Sequence, residues 1–327
     1  VGRRGTVVDL IRMPSKRNLR PVIWVLSAFA VWITGNLVAP AVAHAHGAID
    51  AGKDPLTVWN ANPIPTLILL LMVYLYVTGL SRWQRPSHPV NIWQKASFFA
   101  GLLVLFLALQ SPIEPLAVHM FSVHQLQHVM LRMLAPILIL MGAPLTPMLR
   151  GLPSWALLGL VRPVVGTPAV RRGYDFITNP VLTTLLFLSV LYLWQIPRLH
   201  DAALASDLVH EFMHMTMLFS GFLFWWLVID PKPHRSRMHY GLRVLYLSLI
   251  VIPNTVLGAA ITFQSNVIYE GYARVTQPYS LSLIFDQQWG GLILWVVGDM
   301  MSIFVGAVMM VMWYEKEEGG ARVVGPA

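Results

Sequence analysis

Seven stretches of roughly twenty apolar residues, each followed by a short polar segment, leave this chain little choice of fold. They lie near 63–81, 94–110, 120–145, 177–196, 208–229, 243–263 and 288–313, with a further apolar run at 22–43. Wound as a helix, a run of about 20 residues matches the hydrocarbon thickness of a bilayer. In lipid the backbone must satisfy its own polar groups, which a helix does. Only 12% of the residues are charged, whereas soluble globular chains carry about 25%. The expected fold is therefore all-α: a polytopic membrane helical bundle of seven transmembrane helices plus an N-terminal signal peptide or anchor. The chain has no cysteine, which excludes disulfides, iron–sulfur clusters and thiolate metal sites. The excess of +8 would suggest nucleic acid in a soluble protein. Here the partner surface is lipid, and the placement of the charges matters more than their sum.

Basic residues alternate from loop to loop. Arg82, Arg85 and Lys95 fall in one connection; Arg150, Arg162, Arg171 and Arg172 fall in the next but one. Lys232, Arg235, Arg237 and Arg243 continue the alternation, and Lys316 and Arg322 lie in the tail. The other connections hold only Lys53, Arg198 and Arg274. The positive-inside rule places the basic loops and the C-terminus in the cytoplasm. The segment 144–172, proline-rich with an apolar centre, is expected to lie along the inner surface.

Residues 1–43 read as a signal peptide or an uncleaved anchor: a basic start, an apolar run, then small residues suited to a cut after Ala43 or Ala45. Residues 44–62 would form an extracytoplasmic segment, 63–315 the membrane domain and 316–327 a cytoplasmic tail. A cut after Ala43 would leave His-Ala-His, and a new amine with His44 and His46 makes a nitrogen set that suits Cu(II).

Orientation sorts the eleven histidines. His88, His234 and His239 fall in cytoplasmic loops, and the others outside or at the outer ends of spans. His124 and His128 are four apart, as are His210 and His214. On a helix that spacing stacks two side chains on one face, a turn apart. Both pairs open an inward-running span, so two adjacent helices can present four imidazoles to one point. A lone interfacial histidine is ordinarily just a polar residue meeting water. Two pairs at matching depth point to a metal, since polar residues within spans face the bundle interior. His119, five before His124, joins only if the helix is irregular there. Met120, Met130 and Met133 surround the first pair, and Met213, Met215 and Met217 the second. Thioether with imidazole suits copper, although methionine is also a routine gap-filler. Such a transfer site is expected to be exposed at the helix mouth.

Other polar positions invite roles. Asp286 can cap the last span or join the outer site. Asp299, thirteen residues deeper, must be paired or protonated, and Arg132 is its expected partner. Pro136 and Pro144 in the span at 120–145, and Pro253 with Gly258 in that at 243–263, suggest kinks. "HEFMH" matches the H-E-x-x-H of zinc proteases, with His210 and His214 as ligands and Glu211 as base, but lacks a recognisable third ligand. A b-type haem held by one histidine from each helix is a further alternative. Zinc and haem fit this crowded mouth less well than copper.

Several ordered blocks carry a resemblance. "VHQLQHVMLRMLAPILILMGAPLTPMLR", "HEFMHMTMLFSGFLFWWLVID", "IPNTVLGAAITFQSNVIYEGY" and "DQQWGGLILWVVGDM" resemble the CtaG-type assembly factors of caa-type cytochrome c oxidases over roughly residues 60–315. The resemblance implies seven spans in a bacterial cytoplasmic membrane and a non-catalytic role in maturing the oxidase's copper centres. It implies copper as the metal, with His124, His128, His210 and His214 as ligands. Asp286 would lie nearby. Apart from the resemblance, His119, Met120 and Met213 are further candidates by position and chemistry, as are His44 and His46, which lie outside the shared blocks and gain nothing from it. The implied partners are oxidase subunits or a copper chaperone, met on the outer face. Copper import or tolerance is the alternative.

Overall fold

The computed structural model describes residues 54–60, 62–83, 89–231 and 238–323, apart from the side chains of Gly166, Arg171 and 316–323. The apolar run at 22–43, His44, His46 and parts of the basic loops lie outside them. All regular structure among the described residues is helical. Among the described residues six helices are long and apolar enough to cross a membrane: α1 (Pro63–Arg82), α2 (Ile92–Gln110), α4 (Phe121–Met141), α10 (Asp207–Ile229), α11 (Tyr240–Thr262) and α12 (Leu283–Glu315). A seventh span arises if α7 (Pro168–Ile177) and α8 (Pro180–Trp194) count as one, bent by 61° between them. The bend has a local cause: Pro180 starts a new helix, and the Asn179 side chain accepts hydrogen bonds from Val181 and Leu182. Short helices fill the connections: α3 (Ile113–His119), α5 (Leu145–Gly151), α6 (Ser154–Val165) and α9 (Pro197–Ala205).

Helix α4 is the hub. It is buried over most of its length, whereas half or more of each other long span is left uncovered. Its composition requires this, since Ser122, His124, Gln125, Gln127, His128 and Arg132 would all be costly against lipid. It packs against α2, α10 and α12. A π-helical turn at Met130–Leu134 interrupts it, the Ala135 N–H reaching back to Met130. Pro136 follows and has no N–H to offer, which leaves the Arg132 carbonyl without its helical partner. That carbonyl meets α10 at Gly221, where an added Cβ would lie 2.3 Å from it. Only glycine permits so close an approach between the two helices that carry the histidine pairs. Helix α4 ends earlier than the expected span at 120–145, at Met141: Ala143 adopts φ 46° and Pro144 precedes α5. Helix α11 runs on through Pro253 as one helix.

The segment after α4 does more than lie along a surface. Helix α5 crosses α1 so closely that a Cβ on Gly79 would stand 1.7 Å from the Pro147 carbonyl oxygen. Arg82 then donates to the carbonyls of Arg150, Gly151 and Leu152, where α5 ends. Arg243 similarly donates to the Val228 carbonyl and pairs with Asp230 at 3.2 Å beyond the end of α10. These two arginines, each in the terminal turn of its own helix, cap the ends of neighbouring helices as well as carrying charge. They lie at one end of the bundle. At the other end Asn62, before α1, donates to Glu211 on the first turns of α10 and accepts from Gln110 at the end of α2.

Arg132 and Asp299 form no direct ion pair, contrary to expectation. Asp299 accepts from Asn254 at 2.8 Å and from Thr255 at 2.6 Å, both on α11. Arg132 donates to the Phe187 carbonyl at 3.1 Å and lies 3.5 Å over the Phe187 ring. Each charge found neutral polar and aromatic partners on the neighbouring helix instead.

Candidate metal centre

The centre is built where α4 and α10 begin, at the end away from the basic loops. His124 and His210 are each the fourth residue of their helix, with His128 and His214 one turn deeper. The four rings meet as the four-residue spacing requires. Centroids are 4.4 Å apart for His124 and His128, 4.3 Å for His210 and His214, and 5.1 Å for His124 and His210. One donor atom from each of His124, His210 and His214 lies within 4.8 Å of the others, all three residues buried. His210 Nε2 and His214 Nε2 are 3.0 Å apart. His128 closes the lower side, its ring 5.8 Å from that of His214.

The donor chemistry fits a cation. His124 Nε2 and both ring nitrogens of His128 are buried without a hydrogen-bond partner, an expensive condition unless another group uses their lone pairs. One carboxylate reaches the same space. Glu114 on α3 places its oxygens 3.9 Å from His210 Nε2 and 4.0 Å from His214 Nδ1, and accepts a short hydrogen bond from Gln127. Burial pushes the Glu114 carboxyl up to about 8, against the smaller opposing effect of that hydrogen bond. A cation would reverse this penalty by supplying the missing positive charge.

Two residues that spacing arguments did not select complete the shell. His200 on α9 stands 4.8 Å from His124, centroid to centroid, and burial lowers its imidazole to about 4. Tyr272, in the short turn Glu270–Arg274, puts its hydroxyl 2.8 Å from His124 Nδ1 and 3.0 Å from His200 Nε2. His200 belongs to the outward-facing histidines and so was findable by orientation. Glu114 and Tyr272 lie in segments with no periodicity to single them out.

The remaining candidates have other surroundings. His119 belongs to α3; Met120 breaks the helix with an extended backbone, and His119 Nδ1 lies 2.8 Å from the Pro115 carbonyl. Asp286 caps a helix, but not its own, whose N-cap is Ser282. Its carboxylate accepts from the Phe121 N–H at 2.6 Å, the Ser122 N–H at 3.2 Å and the Ser122 hydroxyl, anchoring the first turn of α4. Met213 and Met217 pack with Phe121, Trp194 and Tyr269 in an apolar cluster, and Met133 and Met130 belong to two other clusters. Met120 is buried, and Met215 is 69% exposed on the outer side of α10. Glu211 of the protease-like motif is exposed and held by Asn62 at 3.0 Å. The cluster itself is not exposed at a helix mouth. Helices α3 and α9 and the Tyr269–Tyr272 turn cover it, and all five histidines are buried.

A helical membrane bundle whose central helices converge on a buried imidazole cluster defines a membrane protein equipped to hold a metal ion. Residues 74–316 match the model of the cytochrome c oxidase caa3 assembly factor family (Caa3_CtaG), and the chain belongs to that family. The family is one of assembly factors, not catalysts. Among curated proteins the chain is similar to uncharacterized proteins of Mycobacterium bovis and Mycobacterium tuberculosis. It is 27% identical to each over 272 residues, 80% of this chain and 40% of theirs. A protein of Mycobacterium leprae is similar at 26% identity over the same length. The chain thus spans less than half the length of these relatives. No solved structure matches it.

Proposed function

We propose that the protein is a membrane copper carrier for oxidase assembly, holding the ion at His124, His210 and His214 and releasing it to an oxidase subunit or a copper chaperone. The observation that carries this reading is the convergence of three buried histidines, with donor atoms within 4.8 Å of one another, in a chain of an oxidase assembly family. His128 and Glu114 complete the donor set on two sides. Copper is favoured over zinc because its monovalent form accepts two or three imidazoles and exchanges them readily, as a cargo must. The alternation of basic loops favours a centre facing the periplasm, with the C-terminus in the cytoplasm.

Arg132 favours delivery on one side over passage through the bundle. Its guanidinium sits one turn below His128, held by the Phe187 carbonyl and ring, and a fixed positive charge there opposes a cation moving deeper. The functional test is deletion of the gene followed by oxidase assay. Oxidase activity should fall and recover in part with added copper. Full oxidase copper content in the deletion strain would end the proposal.

A further inference from the structure

Every donor and acceptor around Tyr272 can be assigned from one fixed point, the Trp194 carbonyl. That carbonyl ends α8, where helical partners run out, and it can only accept. His200 Nδ1 lies 3.1 Å from it, so Nδ1 carries the hydrogen and the neutral ring keeps a lone pair on Nε2. The lone pair needs a donor, and the Tyr272 hydroxyl at 3.0 Å is the one present. A phenol has a single hydrogen. Once it is given to His200, Tyr272 can only accept from His124 Nδ1 at 2.8 Å. The competing acceptor, the Ala117 carbonyl, is farther off at 3.4 Å. His124 therefore carries its hydrogen on Nδ1, and its Nε2, buried and unpartnered, presents a lone pair to the cluster.

The chain of bonds is held rigidly at both ends. Asp201, next to His200, accepts from the Gly271 N–H at 3.1 Å, tying α9 to the turn that carries Tyr272. Gln277 donates to the Tyr272 carbonyl at 2.9 Å. Phe121 stacks on Tyr269 at 4.2 Å and meets the Tyr272 ring edge-on at 5.8 Å. The Tyr269 hydroxyl donates to the Gln195 carbonyl at 3.0 Å, beside the anchor itself.

We propose that Tyr272 and His200 are positioning residues that set the tautomer of His124, through a one-way hydrogen-bond chain from the Trp194 carbonyl, so that Nε2 is always ready to bind the ion. This rests on the reading of the cluster as a metal centre. The effect expected of such outer partners is about ten- to hundredfold in metal affinity.

The test joins two measurements on the full chain in detergent. Nitrogen-15 NMR of histidine-labelled, metal-free protein reads the tautomer of His124. Competition of Cu(I) against a chromogenic chelator reads affinity. The parent should show hydrogen on Nδ1 of His124. Tyr272→Phe should lose that preference and bind Cu(I) about ten- to hundredfold more weakly. His200→Leu should behave like Tyr272→Phe, whereas His200→Gln, whose amide oxygen accepts from Tyr272, should stay near the parent. Hydrogen on Nε2 of His124 in the parent would overturn the proposal even if no variant folds. So would unchanged affinity in Tyr272→Phe, or equal losses in His200→Gln and His200→Leu. Should the parent bind no Cu(I), the carrier reading fails, while the tautomer still decides this inference.

Discussion

Replacing Glu114 by glutamine should stabilise the metal-free protein, and more so as pH rises. The carboxyl is buried on α3 beside His210 and His214, and burial raises it from 4.5 to about 8. Below pH 4.5 the group is protonated in both the folded and unfolded chains and costs nothing extra. Between 4.5 and 8 the unfolded chain gives up its proton while the folded one keeps it, so stability falls as pH rises. Above 8 the folded protein bears the full cost of a buried anion. At about 1.36 kcal/mol for each pKa unit, the cost reaches at most about 5 kcal/mol. An amide in place of the carboxylate would keep the shape without the charge. Thermal unfolding of metal-free protein in detergent at pH 5 and pH 9 should show a small gain for Glu114→Gln at the lower pH and a large one at the higher. With Cu(I) bound the order should reverse, because the variant lacks the carboxylate that offsets the ion's charge. A gain independent of pH would refute the argument that an ionisable, desolvated Glu114 is the cause.

Four further substitutions separate the supports of the centre from positions that should not matter to it. Asp286→Ala removes the carboxylate that accepts from Phe121 and Ser122 at the start of α4 and should cost on the order of 3 kcal/mol in thermal unfolding, with weaker Cu(I) binding as His124 loosens. Gly221→Ala places a Cβ 2.3 Å from the Arg132 carbonyl oxygen, so α4 and α10 must separate and Cu(I) affinity should drop. Gly173→Ala, with nothing within 4 Å, should change neither stability nor affinity. Glu211→Gln should leave the metal content of the purified protein unchanged, as its carboxylate is exposed and engaged with Asn62; loss of metal there would revive a role for the H-E-x-x-H pattern.

The spans were legible because membrane helices advertise themselves by length and composition, and the histidine pairs because a spacing of four has one geometric meaning on a helix. Tertiary partners carry no such mark. His200, Glu114 and Tyr272 enter from two short helices and a turn, so their arrival at the centre depends on how α3, α9 and the Glu270–Arg274 turn fold back over α4. The same segments, which read as outer loops, bury a cluster that was expected to be exposed. Asp286 was recognisable as a cap, but which N-terminus it serves depends on packing between α12 and α4. Arg132 and Asp299 looked like partners because both are charged and deep. Neutral groups nearer to each, Phe187 for one and Asn254 with Thr255 for the other, satisfy them instead. Methionine spacing cannot separate two roles, because thioethers pack as readily in apolar clusters as on a metal; Met130, Met133, Met213 and Met217 all pack in such clusters.

The central claim is tested most directly by metal analysis of the purified chain alongside a variant with His124, His210 and His214 all changed to alanine. After copper loading and washing, the parent should retain copper at a fixed stoichiometry, with nitrogen ligands in X-ray absorption and no haem absorption band. The variant should insert normally and retain none. Copper held equally by both, or zinc or haem in place of copper in the parent, would contradict the account.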